Sequence, residues 1–213
     1  MTASSRNERE PVVITSMRVV RERVTARLVD AAYTTTKELV DGPGQGRAAV
    51  AIVVREATDG PQVLLIRRAD HPGDAWSGHM AFPGGREDPQ DENLLATAIR
   101  ETLEEVGLDL RQAGRLLGQL APLPAVARGR PVGMTIVPFI FELVADAELL
   151  YSEEVVEAVW VPLDPLLQGQ LRTTFAVDRD GGERVELPAH DVGGRIVWGL
   201  TYRMLDRLFE LLR

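Results

Sequence analysis

Cysteine is absent from the 213 residues, which excludes disulfides, thiol nucleophiles, iron–sulfur clusters and cysteine-based zinc sites. Histidine is nearly as scarce, and His71, His79 and His190 show no ligand spacing. Lysine occurs once, at Lys37. The basic charge is therefore arginine, which suits bidentate phosphate binding but also follows from the coding bias of a genome. Long apolar runs are missing too. The longest stretch without Asp, Glu, Lys or Arg, Leu116 to Ala127, contains Pro122 and Pro124 and falls short of the roughly 20 residues that span a bilayer. The opening MTASSRNEREPVV mixes both charges and lacks the apolar centre of a signal peptide, so a cytoplasmic address is expected. Basic residues number 24 against 32 acidic, and the net charge of −8 opposes binding to nucleic-acid backbones or anionic membranes.

What remains is 45% apolar and 26% charged residues, the profile of one globular domain with a small appendage. Val20, Val24, Leu28 and Ala31 recur at helical spacing within Met17 to Val40, before DGPGQG at 41–46 interrupts the pattern. Residues 1–46 therefore read as an N-terminal helix and linker, and 47–213 as the main domain. AAVAIVV (48–54) and QVLLIRR (62–68), joined by ATDGP, predict a hairpin of buried strands. Further strands are expected at 115–121, 134–144 and 155–161, and IVWGLTYRMLDRLFELLR predicts a strand entering an amphipathic helix. This mixture, without a regular βαβ repeat, points to a layered α/β domain.

A helix is expected over 89–106, with Asp88 as N-cap, Pro89 at the first helical position and Gly107 as C-cap. Leu95, Ala98, Ile99, Thr102 and Val106 form its core stripe. Glu101, Glu104 and Glu105, at i, i+3 and i+4, crowd a different face in the last turns. Each like-charge pair there costs roughly 0.2–0.5 kcal/mol, and the macrodipole adds about 0.3–1 kcal/mol per anion. Mg²⁺ or Mn²⁺ would reverse the sign of those terms. Three Glu alone fit better a solvated acidic face partly balanced by Arg100.

The surrounding string FPGGREDPQDENLLATAIRETLEEVGLDL, Phe82 to Leu110, resembles the Nudix box. That motif is written G, five residues, E, seven residues, R-E-U-x-E-E-x-G-U, with U a bulky aliphatic. Arg100 to Leu108 matches its second half, with Thr102 in a slot usually aliphatic, and Glu92 stands eight before Arg100. Gly85 lies seven before Glu92, one more than standard. The same insertion, preceded by FPGG, occurs in the branch resembling coenzyme A diphosphatases. The resemblance implies a Nudix-type α/β/α sandwich with a mixed β-sheet and metal-dependent hydrolysis of a small-molecule diphosphate. It implies Mg²⁺ or Mn²⁺ on Glu101 and Glu105, with Glu104 as a further ligand or a group orienting water, and with the Gly85 carbonyl as a further donor. Arg100 would orient the glutamates, and Glu92 would help fix the loop. The general base would come from Glu104, Glu142, Glu153, Glu154 or Glu157, of which the last four are ordinarily surface residues. A homodimer is the family-level expectation.

For the substrate, Leu64, Leu65, Arg68, Gly78 and Phe82 to Gly85, with IVWGLT at 196–201, resemble the coenzyme A branch. Asp74 replaces an arginine of that signature, and Ile66 and Ala69 replace hydroxyl residues. Coenzyme A or its thioesters is one substrate class, and ADP-ribose or a nucleotide sugar the alternative. A Nudix-fold sensor that binds a nucleotide without hydrolysis is the rival from another class. Arg67 and Arg68 end a strand beside the box, where alternation lets only one face the site and grip a phosphate. Arg128 and Arg130 lie in a mobile-looking connection, APLPAVARGRPVG. Phe82, Trp76, Trp160 and Trp198 are candidates to stack on a base, although buried aromatics ordinarily serve the core.

Overall fold

A strand whose apolar residues run without interruption must be covered on both faces. The computed structural model, which describes residues 12–30, 46–72, 76–127, 130–178, 182 and 184–213, shows this for β1 (Gly46–Arg55). Ala48 to Val54 are all buried. β1 runs parallel to β7 (Arg130–Leu143), with Ala48 opposite Ile136 and Val54 opposite Glu142. It is antiparallel to β2 (Gln62–Arg68) and to β4 (Gly84–Arg86). β3 (Met80–Ala81), β5 (Gly114–Gln119), β6 (Leu123–Ala127) and β8 (Val155–Pro162) complete a mixed sheet with the path β3-β2-β1-β7-β5. β6 joins it through β7 and β8 through β2.

Alternation along β1 divides the interior. Ala48, Val50, Ile52 and Val54 pack with Val20 and Val24 of α1 (Met17–Asp30) and with Met204, Leu205 and Leu208 of the C-terminal helix. Ala49, Ala51 and Val53 pack with Ala98 and Val106 of α2 (Leu94–Val106) and Leu110 of the short α3 (Leu110–Ala113). Helices thus cover both faces, giving the expected α/β/α sandwich. α4 (Leu163–Leu167) follows β8, and β9 (Arg172–Asp178), β10 (Arg184–Val192) and β11 (Arg195–Trp198) form a second antiparallel sheet leading into α5 (Gly199–Leu212). Among the described residues no helix is long and apolar enough to cross a membrane.

The N-terminal helix docks on its own chain. Met17, Val20 and Val24 are at most 4% exposed. Arg23 and Arg27 donate to the carbonyls of Leu212 and Glu210, acceptors that the last turn of α5 leaves without helical donors. Ala31 and the 31–45 part of the expected linker lie outside the described residues.

Three expectations are corrected. The box helix starts at Leu94, not at 89, because Asn93 caps it by accepting from Ala96 N at 3.0 Å. Asp88-Pro89 instead opens a turn in which the Asp88 carboxylate accepts from Gln90 N. The connection read as mobile is largely a ladder, with Val126 opposite Pro131 and Ala127 opposite Arg130. Its prolines signalled a loop, yet β6 is an edge strand, where proline is tolerated. β11 appears as the expected strand before the last helix, but β9 and β10 beside it were not anticipated, since their many exposed positions blur the apolar period.

Val20→Ala is expected to lower stability by about 1.5–3 kcal/mol through two lost buried methyls and the resulting cavity. Arg18→Ala, which breaks only an exposed pair with Glu22, should change it by less than about 0.5 kcal/mol. Urea denaturation of both variants checks whether α1 is part of the cooperative core.

Candidate active site

The site is built where α2 meets the β4 loop. Arg100 reaches back from α2 to Asp91, donating from Nε and Nη2 to its two oxygens at 2.9 Å each. The same Nη2 donates to the Arg86 carbonyl at 3.1 Å, and Nη1 donates at 2.9 Å to Glu101 Oε1 and to Glu104 Oε2. The Asp91 side chain is only 6% exposed and also accepts from Thr97 Oγ1 and Asp88 N. Arg100 beside it, above all, holds its carboxyl well below the usual range.

The three box glutamates divide. The Glu105 side chain is 4% exposed; its Oε2 accepts from Gly84 N at 2.7 Å, and its Oε1 lies 3.9 Å from Arg68 Nη1. Burial pushes its carboxyl up to about 8, against the opposing Gly84 hydrogen bond. Burial also raises Glu101, with Arg100 opposing. Glu104 turns outward, its side chain 58% exposed. The crowding read from the helix is thus relieved in part by protein groups: Arg100 bridges two of the anions, and Gly84 N–H holds the third. Among the described residues no three His, Cys, Asp or Glu converge to ligating distance in this arrangement.

Backbone approach decides the two glycines. Gly84 has φ of 146° in a place where a Cβ would lie 2.3 Å from the Ala49 carbonyl oxygen. At Gly85 a Cβ would lie 2.5 Å from Glu101 Oε2, so only glycine leaves room for that carboxylate against the loop. Gly107 ends α2 in the left-handed region at φ 70° and donates to the Leu103 carbonyl, as expected of a C-cap.

Of the paired arginines, Arg68 faces the box. Arg67 points to the other side of the sheet, where its Nε donates to Glu157 at 2.8 Å. Arg195 grips the same carboxylate and holds it below its usual range. Glu142 also sits away from the box, 7% exposed and paired with Arg21 of α1 and Arg115 of β5. Neither Glu142 nor Glu157 is placed to act at the box. Glu153 and Glu154 follow the tether of Ser152 N to the Glu105 carbonyl, and Ala69 N donates to the Glu154 carbonyl. After burial, the Glu154 charge adds to the upward push on both Glu101 and Glu105. Phe82 is corrected from substrate platform to core residue: it is 2% exposed on the α1 side of the sheet. Arg130 opens β7, and Asp74 and Arg128 lie outside the described residues.

Residues 45–180 match the NUDIX domain family model. The chain belongs to the Nudix family. It is 36% identical over 153 residues to an uncharacterized Nudix hydrolase, NudL, of Yersinia enterocolitica, covering 70% of this chain and 73% of that one. It is 40% identical over 124 residues to an uncharacterized protein of Schizosaccharomyces pombe, covering 57% of this chain but only 38% of the yeast protein. A MutT/nudix family protein from Enterococcus faecalis superposes with a TM-score of 0.53 at 18% identity, covering 99% of this chain and 74% of that one, a likeness of fold.

The Nudix box holds one residue that sequence reasoning passed over. Glu92, expected to fix the loop, is exposed, and Asp91 takes the Arg100 guanidinium instead. Counting from Gly85 gives a legible signal, because Asp91 stands at the standard box distance from that glycine and Glu92 at the standard distance from Arg100. The extra residue lets either acid satisfy half of the motif, and the turn around Asp88 selects the first.

Asp91→Asn is expected to cost about 1–3 kcal/mol, because it leaves a partly buried guanidinium short of its main partner. A depressed carboxyl contributes stability above its unfolded pKa of about 4 and loses it as pH falls toward the folded value. Acid unfolding should therefore be shallower in Asp91→Asn than in wild type. Glu92→Gln should retain the wild-type profile, as thermal melts between pH 2.5 and 7 would report.

Proposed function

We propose that this Nudix hydrolase cleaves the diphosphate linkage of a nucleoside diphosphate derivative with Mg²⁺ or Mn²⁺, coenzyme A or its thioesters being the leading substrate class. The observation that carries the reading is the pair of inward-turned carboxylates, Glu101 and Glu105, set against the Gly84–Gly85 backbone with Arg68 alongside. The donor set is hard oxygen, which suits these cations. Raised carboxyls in a sheltered corner mark anionic charge that the fold only partly offsets.

Glu101 and Glu105 would hold the ion, Glu104 would join them on leaving Arg100, and Gly85 would offer its carbonyl. When bound, the ion neutralises diphosphate charge and lowers the pKa of a coordinated water. Arg68 would hold a substrate phosphate through its guanidinium, while Arg100 keeps the carboxylates and the loop in register. Glu154 is the candidate to take the proton from the attacking water, since the Ser152–Glu105 and Ala69–Glu154 backbone hydrogen bonds hold its segment beside the end of α2. The FPGG-box spacing and the IVWGLT segment support the coenzyme A class. The intact glutamate set opposes a purely binding role, which has no need of it.

Coenzyme A, ADP-ribose and nucleotide sugars assayed side by side with Mg²⁺ and Mn²⁺, with products identified by mass, test the reading. Hydrolysis of none of them would overturn it. Glu105→Gln is expected to lower kcat at least about 100-fold with an unchanged circular dichroism spectrum. Glu154→Gln and Glu142→Gln separate a base from a structural carboxylate. The first should lower kcat at least about 100-fold and leave the melting temperature unchanged. The second should lower the melting temperature and leave kcat near the wild-type value.

A further inference from the structure

Trp198 ends β11 with a side chain that the core does not take up. Its neighbour Val197 is fully buried among the residues of the α1 side, and alternation turns Trp198 the other way. There the half-buried indole meets His79 at a ring-centroid distance of 4.8 Å and Phe175 at 4.9 Å, both tilted. His79 leads directly to the site, because its carbonyl accepts from Arg68 N at 3.1 Å and Arg68 Nη1 lies 3.9 Å from Glu105. A chain of contacts thus joins the aromatic rings to the charged centre: ring to ring from Trp198 to His79, backbone to backbone from His79 to Arg68, and side chain to side chain from Arg68 to Glu105.

The platform is held firmly. Glu157 ties Arg195 of β11 to Arg67 of β2, and Thr201 Oγ1 at the start of α5 donates to the Met80 carbonyl at 2.9 Å. A packing role alone does not call for an aromatic trio left half open at the end of such a chain of contacts. A molecule with a flat heterocycle at one end and phosphates at the other matches it in both chemistry and order.

We propose that Trp198, backed by His79 and Phe175, stacks on the heterocyclic base of a nucleoside diphosphate substrate whose phosphates lie at Arg68 and the box carboxylates. This rests on the diphosphatase reading for the reaction but not for base binding, so the two can fail separately. Trp198 then acts in binding, and the base end of the substrate is selected by the C-terminal segment, outside the Nudix box.

The chain has three tryptophans, so Trp76→Phe/Trp160→Phe leaves Trp198 as the sole indole emitter. AMP should quench its fluorescence saturably, and ribose 5-phosphate, which lacks the base, should not. In steady-state assays Trp198→Leu should raise KM for ADP-ribose and coenzyme A about tenfold with kcat within about twofold, and Trp198→Phe should restore most of the affinity. A dialkyl diphosphate, which has no base, should bind wild type and Trp198→Leu equally when assayed as a competitive inhibitor. Absence of quenching by AMP, equal quenching by ribose 5-phosphate, or an equal loss of affinity for the base-free diphosphate would overturn the proposal. Quenching by AMP in a protein that hydrolyses no diphosphate would support base stacking and overturn the diphosphatase reading instead.

Discussion

Arg100 stands between two demands that helix α2 cannot meet alone. The helix carries Glu101, Glu104 and Glu105 in its last turns, where neighbouring anions and the macrodipole both work against them. The loop before the helix must also be held close enough for Gly85 to lie against Glu101. One guanidinium serves both needs, because its planar fork takes Asp91 on one side and two glutamates on another, with the Arg86 carbonyl between. Lysine, a single point donor, could not span these partners. On the proposed reading a divalent ion then competes with Arg100 for Glu101 and Glu104, so the guanidinium shapes the carboxylate cluster and also sets how readily it opens to an ion.

The sheet separates two uses of carboxylates drawn back from open solvent. On the α1 side Glu142 is gripped by Arg21 and Arg115, and Glu157 by Arg67 and Arg195. These are ion pairs that join separate elements, and the arginines beside Glu157 hold it in its charged form. On the box side Glu105 has a backbone N–H and a more distant Arg68, and its carboxyl is raised. The same residue type is thus structural on one face and, on the proposed reading, used for chemistry on the other. The difference lies in how much positive charge each face brings within hydrogen-bond distance.

Much of this was legible in one dimension. Ala48 to Val54 announced a strand covered on both faces, and the Glu101, Glu104, Glu105 spacing with Gly107 announced an acidic helix end. Both are local patterns, and local patterns survive folding when their period matches the element. The start of α2 was misread because Asp-Pro serves equally as a helix opening and as a turn, and only the Asp88 and Asp91 hydrogen bonds decide between them. β6 was misread because Pro122 and Pro124 mark a loop unless the strand lies at a sheet edge. Phe82 shows the same limit: an aromatic beside the Nudix box reads as a platform until the connection between β3 and β4 turns it into the core.

From the linear chain alone came the Nudix box, the carboxylates that compose it and the layered class of the fold, because helical and strand periods are written in residue order. Tertiary structure alone decided that Arg68 and not Arg67 faces the box, that Asp91 and not Glu92 holds Arg100, and that Glu142 belongs to a distant ion pair. Each choice depends on which face of a pleated sheet or which turn of a loop meets its partner. The arginine and Glu142 choices are set by packing across the sandwich, and the Asp91 choice by a turn that the spacing alone left open between two acids.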